Sequence, residues 1–101
     1  MIPKTIRIGG KNFPVKVVPD RDMDSARGRI YYEGQEIRLS DSQTADSSRE
    51  TVLHEILHAA SDMTGGRVEE RDINGMSKCL FGILRDNREL VTWIMSEDDA
   101  T

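Results

Sequence analysis

The chain has 101 residues and a formal net charge of −4 at pH 7, a length that fits one compact domain and excludes two cores of ordinary size. Its basic residues are scattered rather than gathered into a stripe, so we expect no nucleic-acid partner. No apolar run reaches the ~18 residues of a membrane helix, and the N-terminal sequence lacks the apolar stretch of a secretory signal. We therefore expect a cytoplasmic protein without a membrane partner, while the sequence indicates no oligomeric state.

The first forty residues alternate apolar and polar side chains in four short runs, the pattern of half-buried β-strands. Gly9-Gly10 separates the first two runs and Glu33-Gly34 the last two, which supplies the positive-φ residues that tight hairpins need. We expect a small antiparallel or mixed sheet of two hairpins. Its apolar positions are Ile6, Ile8, Phe13, Val15, Val17, Ile30, Tyr32, Ile37 and Leu39.

Helical periodicity begins after these runs. Ser47 and Glu50 match a capping box, which predicts a helix from Ser47 to about Thr64. Gly65-Gly66 predicts a left-handed cap at its C-terminal end. A second amphipathic helix follows, with one apolar face made of Ile73, Met76, Leu80, Ile83 and Leu84.

The C-terminal part of the chain predicts a third, short helix. Asn87 is a favourable N-cap, and the apolar residues after it have helical spacing. Residues 97–101 are an expected disordered tail. The predicted fold is therefore α+β and forms a single domain over residues 1–101, with the sheet first and three helices after it.

The first predicted helix carries the sequence His54-Glu55-Ile56-Leu57-His58. Two histidines four residues apart lie on one face of a helix, so both imidazoles can bind one zinc ion. Glu55 lies beside them, where its carboxylate can act as general base on a water molecule without being a ligand. The apolar residues around the motif make the helix apolar on nearly all sides, which predicts a buried helix.

The alternative is that these three side chains have only a structural role. An interior helix seldom holds three ionisable groups in five positions without a function, because each buried unpaired polar group costs roughly 1–3 kcal/mol. The only two histidines of the chain are both in the motif. The pattern therefore favours a metal site.

A catalytic zinc ion takes three protein ligands, so a third must come from elsewhere. Ser61 and Thr64 stand where the metzincin pattern requires glycine and histidine, which excludes that class. The remaining downstream candidates are carboxylates, namely Asp62, Glu69, Glu70 and Asp72. Asp62 is the weakest candidate because it lies on the motif helix with a short side chain. Glu69 and Glu70 both open the second helix, and periodicity does not separate them.

The motif with Glu70-x-x-Ile73-Asn74-x-Met76-Ser77 downstream resembles the glutamate-zincins (gluzincins) of the ImmA/IrrE-like kind, in which a second helix carries E-x-x-A-N-x-F-A. It is also similar to small zinc peptidases of phages and prophages. The resemblance covers nearly the whole chain and implies a minimal zincin-like metallopeptidase domain. It implies Glu70 as the third zinc ligand, with Glu69 as second choice, and Asn74 as a residue that supports the ligands.

From this resemblance we expect a zinc-dependent endopeptidase whose base is Glu55 and whose metal ligands are His54, His58 and Glu70. The expected partner is a protein or peptide substrate, bound by backbone pairing along the strand from Glu36 to Leu39. If a phage encodes the protein, we expect it in the host cytoplasm. The alternative is a zinc-binding regulator without proteolytic activity. The candidate donors to the oxyanion are Tyr31, Tyr32, Arg67 and Asn74.

Overall fold

The computed structural model describes residues 1–97 and has the predicted α+β architecture, with four strands followed by three helices. The elements are β1 (Thr5–Ile8), β2 (Lys11–Val18), β3 (Gly28–Tyr31), β4 (Glu36–Ser40), α1 (Ala45–Met63), α2 (Glu70–Asp86) and α3 (Arg88–Met95), with a short 3-10 turn at Asp20–Asp22. Of the tail predicted at 97–101, all but Glu97 lies outside the described residues. Within the described residues, no helix has the length and apolar character needed to cross a bilayer.

The four strands form one mixed sheet in the order β1-β2-β4-β3. Both predicted hairpins are present, because β1 pairs antiparallel with β2 and β3 pairs antiparallel with β4. A parallel pairing of β2 with β4 joins the two hairpins. As a result β4 lies inside the sheet, while β1 and β3 form its edges.

The two hairpin turns differ from each other. Gly9 and Gly10 have φ angles of 57° and 81°, as a two-residue type I′ turn requires, and the predicted role of this pair is confirmed. In the second hairpin Gly34 is not among the residues with positive φ, and Gln35 has a φ of 47° instead. That prediction is wrong because this loop is longer, so the left-handed position falls on the residue just before β4.

The core lies on the face of the sheet that α1 covers. Phe13, Ile37 and Leu39 are almost fully buried, and Val52 of α1 packs against them together with apolar side chains of the other strands. The alternating pattern of the strands therefore predicts most of this buried face, but Val17 and Tyr32 are 53% and 47% exposed. Because β4 is central, its two apolar residues are the most deeply buried in the sheet.

Helix α1 begins two residues before the predicted start. Its N-cap is Thr44, whose hydroxyl oxygen accepts a hydrogen bond from the amide of Ser47 at 3.1 Å. The capping box predicted at Ser47 is therefore wrong. The hydroxyl of Ser47 instead donates to the side chain of Gln43, because Thr44 already occupies the capping position.

The prediction that α1 is buried on nearly all sides is not met. Its buried residues are Ser48, Thr51, Glu55 and Ala59, which lie on one side, whereas its leucines and isoleucine are only partly buried. A sheet on one side and a single helix on another cannot surround a helix of this length. The motif therefore lies on a half-buried helix whose buried side is polar in part.

The turn after α1 has the predicted glycine cap. Gly65 has a φ of 70°, and the amides of Gly65 and Gly66 donate to the carbonyl oxygens of Asp62 and Ser61. This is the bond pattern of a Schellman motif. It reverses the chain and lets α2 return along α1.

The predicted apolar face of α2 is only partly buried. Ile73 is 1% exposed, but Met76 and Ile83 are 49% and 45% exposed, because α2 packs mainly against α1 and α3. Asn87 stands at the N-cap of α3 as predicted, yet its side-chain amide donates to the carbonyl of Ile83 and not into α3. It therefore stabilises the end of α2.

We predict that Gly65→Ala lowers the free energy of unfolding by about 1 kcal/mol, because an L side chain at positive φ is strained. The matched control is Gly34→Ala, since Gly34 has no positive φ and a Cβ there would meet nothing within 4 Å. Urea denaturation of the metal-free protein measures both changes. Equal midpoints for the two variants would contradict the role given to the Gly65 turn.

Candidate metal centre

His54 and His58 lie one turn apart on α1, as their spacing predicts. Their Nε2 atoms are 3.1 Å apart and the ring centroids are 4.8 Å apart. The side chains are 13% and 27% exposed, so the two rings are largely shielded by protein but reachable from one side. Both Nε2 atoms face the start of α2.

Glu70 is the first residue of α2, and its carboxylate completes a group of three possible metal ligands with His54 and His58. Its Oε1 lies 2.8 Å from Nε2 of His54, and its Oε2 lies 2.6 Å from Nε2 of His58. One ligand atom from each of the three residues therefore lies within 4.8 Å of the others. The Glu70 side chain is 64% exposed, which leaves the group open to solvent.

The structure does not bring the other carboxylate candidates to the histidines. Glu69 is the exposed N-cap residue of α2, and it is not part of the group of possible ligands. Asp62 accepts a hydrogen bond from the hydroxyl of Tyr32 at 2.8 Å. Asp72 is exposed and lies 3.9 Å from the guanidinium of Arg71. Geometry alone therefore selects Glu70 among the four candidates.

Packing between α1 and α2 holds Glu70 in this place. Ile73 and Ser77, one and two turns further along α2, are 1% and 0% exposed. The hydroxyl of Ser77 donates to Oε1 of Glu50 on α1 at 2.9 Å. Sequence reasoning missed this pair, although Glu50 lies four residues before His54 and therefore on the same face of α1.

The side chain of Glu55 points away from solvent, on the buried side of α1, and the residue is 7% exposed. Its Oε1 accepts a hydrogen bond from the backbone amide of Ile30 at 3.1 Å, and its Oε2 lies 3.9 Å from Nε2 of His54. Burial raises the pKa of the Glu55 carboxyl, while the nearby charge of His54 and His58, when protonated, lowers it. A buried carboxyl with a raised pKa beside possible metal ligands is a common feature of acid–base sites.

A cleft of about 500 Å³ lies over these residues, between the start of β3 and α2. Of the four candidate oxyanion donors, Asn74 lines it. Tyr31 instead packs under the guanidinium of Arg38. The hydroxyl of Tyr32 donates to Asp62, and burial together with this hydrogen bond raises the pKa of the Tyr32 phenol. The lining residues are Ala26, Arg27, Gly28, Arg29, Glu50, Thr51, His54, Glu55, His58, Glu70, Asn74 and Lys78.

The donor set fits a zinc ion in chemistry and spacing. Two imidazole nitrogens and a carboxylate oxygen are among the ligands that zinc prefers. Ligands about 2.0–2.1 Å from a tetrahedral zinc ion are about 3.3 Å apart. The two imidazole nitrogens are 3.1 Å apart and lie 2.8 and 2.6 Å from the two different oxygens of Glu70, so a bound ion requires the three side chains to move apart.

Comparisons with known proteins identify no relative: no protein family, no curated protein and no solved structure matches the chain. The resemblance to glutamate-zincins therefore stays a prediction from the motif.

We predict that Glu55→Gln raises the free energy of unfolding of the metal-free protein by about 1 kcal/mol, as substitutions at functional sites often do. The reason is that burial disfavours the charged carboxylate, whereas a glutamine carbonyl is neutral and can still accept the Ile30 bond. Glu33→Gln at an exposed position is the control and should change little. Urea denaturation in the presence of a chelator is the measurement, and a Glu55→Gln protein less stable than wild type would contradict the argument.

Proposed function

We propose that this protein is a zinc-dependent metalloendopeptidase in which His54, His58 and Glu70 bind the metal and Glu55 is the general base. The single observation that carries the proposal is the convergence of three ligand atoms from two helices beside a buried carboxylate. The group lines the cleft between β3 and α2, and the 64% exposure of Glu70 leaves it accessible to an extended peptide.

A zinc ion at this site would act as a Lewis acid and lower the pKa of a bound water to about 7. Glu55 takes a proton from the attacking water and later gives it to the leaving nitrogen of the peptide. Burial supports this role, because a carboxylate whose pKa is raised takes a proton from water more readily than an ordinary glutamate does. Asn74 lines the cleft and is our candidate for donor to the developing oxyanion.

The substrate in this proposal is a protein or peptide held in extended form along the cleft. The prediction that the peptide pairs with the strand from Glu36 to Leu39 is wrong. That strand, β4, already pairs with β2 on one side and with β3 on the other, so it has no free edge. The start of edge strand β3, at Gly28, is the better candidate, since the outward-facing amide of Ile30 already donates to Glu55. Gly28 lines the cleft, and its backbone polar groups face away from β4 because Arg27, one residue earlier, bonds to Ser40. A regulatory protein of a mobile element, cut in the host cytoplasm, fits the resemblance.

We predict that Glu70→Ala abolishes tight zinc binding, whereas Glu69→Ala, one residue earlier, leaves it unchanged. Removing one of three protein ligands weakens the site far more than removing an exposed neighbour. Competition with a fluorescent zinc chelator gives the affinities, and metal analysis gives the stoichiometry. Loss of binding in the Glu69→Ala protein with binding kept in Glu70→Ala would move the ligand by one residue.

We predict that the zinc-loaded wild type cleaves peptides from a proteome-derived library, read as new termini by mass spectrometry, and that Glu55→Gln keeps zinc but loses cleavage by about 10²-fold or more. Glu33→Gln should match wild type. Cleavage that survives in Glu55→Gln would refute the assigned base. Stoichiometric zinc with no cleavage by wild type would instead favour the zinc-binding regulator.

A further inference from the structure

The hydrogen bond between Glu55 and Ile30 joins the candidate base to the edge of the sheet. Ser40 donates to the carbonyl of Arg27, so the antiparallel register directs the polar groups of Gly28 and Ile30 away from β4. The Ile30 amide therefore belongs to the outer edge of β3. On an edge strand such a group normally bonds to water or to another strand, but here it donates to a buried carboxylate at 3.1 Å.

Strand β3 is fixed against α1 at two further places upstream of this bond. The side-chain amide of Gln43 donates to the carbonyl of Arg27 at 2.9 Å, and its oxygen accepts from the hydroxyl of Thr51 on α1 at 2.8 Å. Gly28 then lies so close to α1 that an added Cβ would be 2.4 Å from the Cγ2 methyl of Thr51. The strand therefore comes as near to the helix as its backbone allows.

We propose that the Ile30 amide is a positioning group for Glu55, and that the absence of a side chain at Gly28 is what allows it to reach the carboxylate. The amide holds Oε1 of Glu55 and leaves Oε2, 3.9 Å from Nε2 of His54, as the oxygen that faces the metal ligands. The effect of this contact on peptide cleavage rests on the proposed function. The bond itself and its dependence on Gly28 are independent of any activity.

The positioning explains an otherwise costly arrangement. A carboxylate with 7% exposure is poorly solvated, so it needs a fixed hydrogen-bond donor in the fold. A side-chain donor would rotate, whereas a backbone amide in a paired strand does not. Small displacements of a reacting group cost large factors in rate, so a rigid donor serves catalysis as well as folding.

The test is Gly28→Ala, in which the new methyl group pushes β3 away from α1. We expect cleavage of library peptides to fall by about 10- to 100-fold, mainly in kcat, with zinc affinity kept because no ligand is touched. Thr51→Ser removes the methyl that the new Cβ meets but keeps the hydroxyl bonded to Gln43, so the double variant Gly28→Ala/Thr51→Ser should recover most of the rate. Gly82→Ala, where a Cβ meets nothing within 4 Å, is the matched control and should equal wild type.

A second measurement does not need activity. Amide hydrogen exchange by NMR in the metal-free protein should show the Ile30 amide protected in wild type and exchanging faster in Glu55→Ala and in Gly28→Ala, with protection regained in the double variant. Unchanged exchange in Glu55→Ala, or a Gly28→Ala protein that cleaves like wild type, would overturn the inference. If wild type cleaves nothing, the proposed function fails on its own, and the exchange data still decide whether the amide holds Glu55.

Discussion

The position of α1 between β3 and α2 is the constraint on which the candidate centre depends. One side of this helix carries Glu55 against the edge of the sheet, and another carries His54 and His58 toward the first residue of α2. A shift of α1 against either neighbour would separate the base from its donor or the histidines from Glu70. Packing and hydrogen bonds on both sides hold the helix, so the stability of the fold and the geometry of the site have the same origin.

Several buried positions around the site hold polar side chains. The buried residues of α1 include Ser48, Thr51 and Glu55, and the most buried residue of α2 is Ser77. Each of the last three has a hydrogen-bond partner outside its own helix, which compensates for part of the desolvation that burial imposes. Polar side chains at these buried positions reduce the apolar surface that the small domain can bury. Several large apolar side chains of α2 and α3 are exposed.

Much of the fold was predictable because the signals are local. Alternation in residues 1–40 predicts the strands and both hairpins, and Gly9-Gly10 and Gly65 predict their turns, since positive φ is a property of single residues. Predictions failed where two local signals competed. Thr44 and Ser47 are both good caps, and which of them begins α1 depends on the neighbouring Gln43. The exposure of Met76 and Ile83 could not be predicted either, because it depends on how many elements surround α2.

For the site, the sequence by itself determined that His54 and His58 share a helical face with Glu55 beside them, because the period of a helix is fixed by its backbone. Helical periodicity left Glu69 and Glu70 equivalent, since both lie near the same face of α2, and only the motif resemblance favoured Glu70. The tertiary structure adds an independent argument for Glu70, because the Gly65 turn and the packing of Ile73 and Ser77 bring its carboxylate to the imidazoles. Only the tertiary structure paired Glu55 with the Ile30 amide, because a backbone group carries no signal in the sequence and its partner is set by how closely β3 approaches α1.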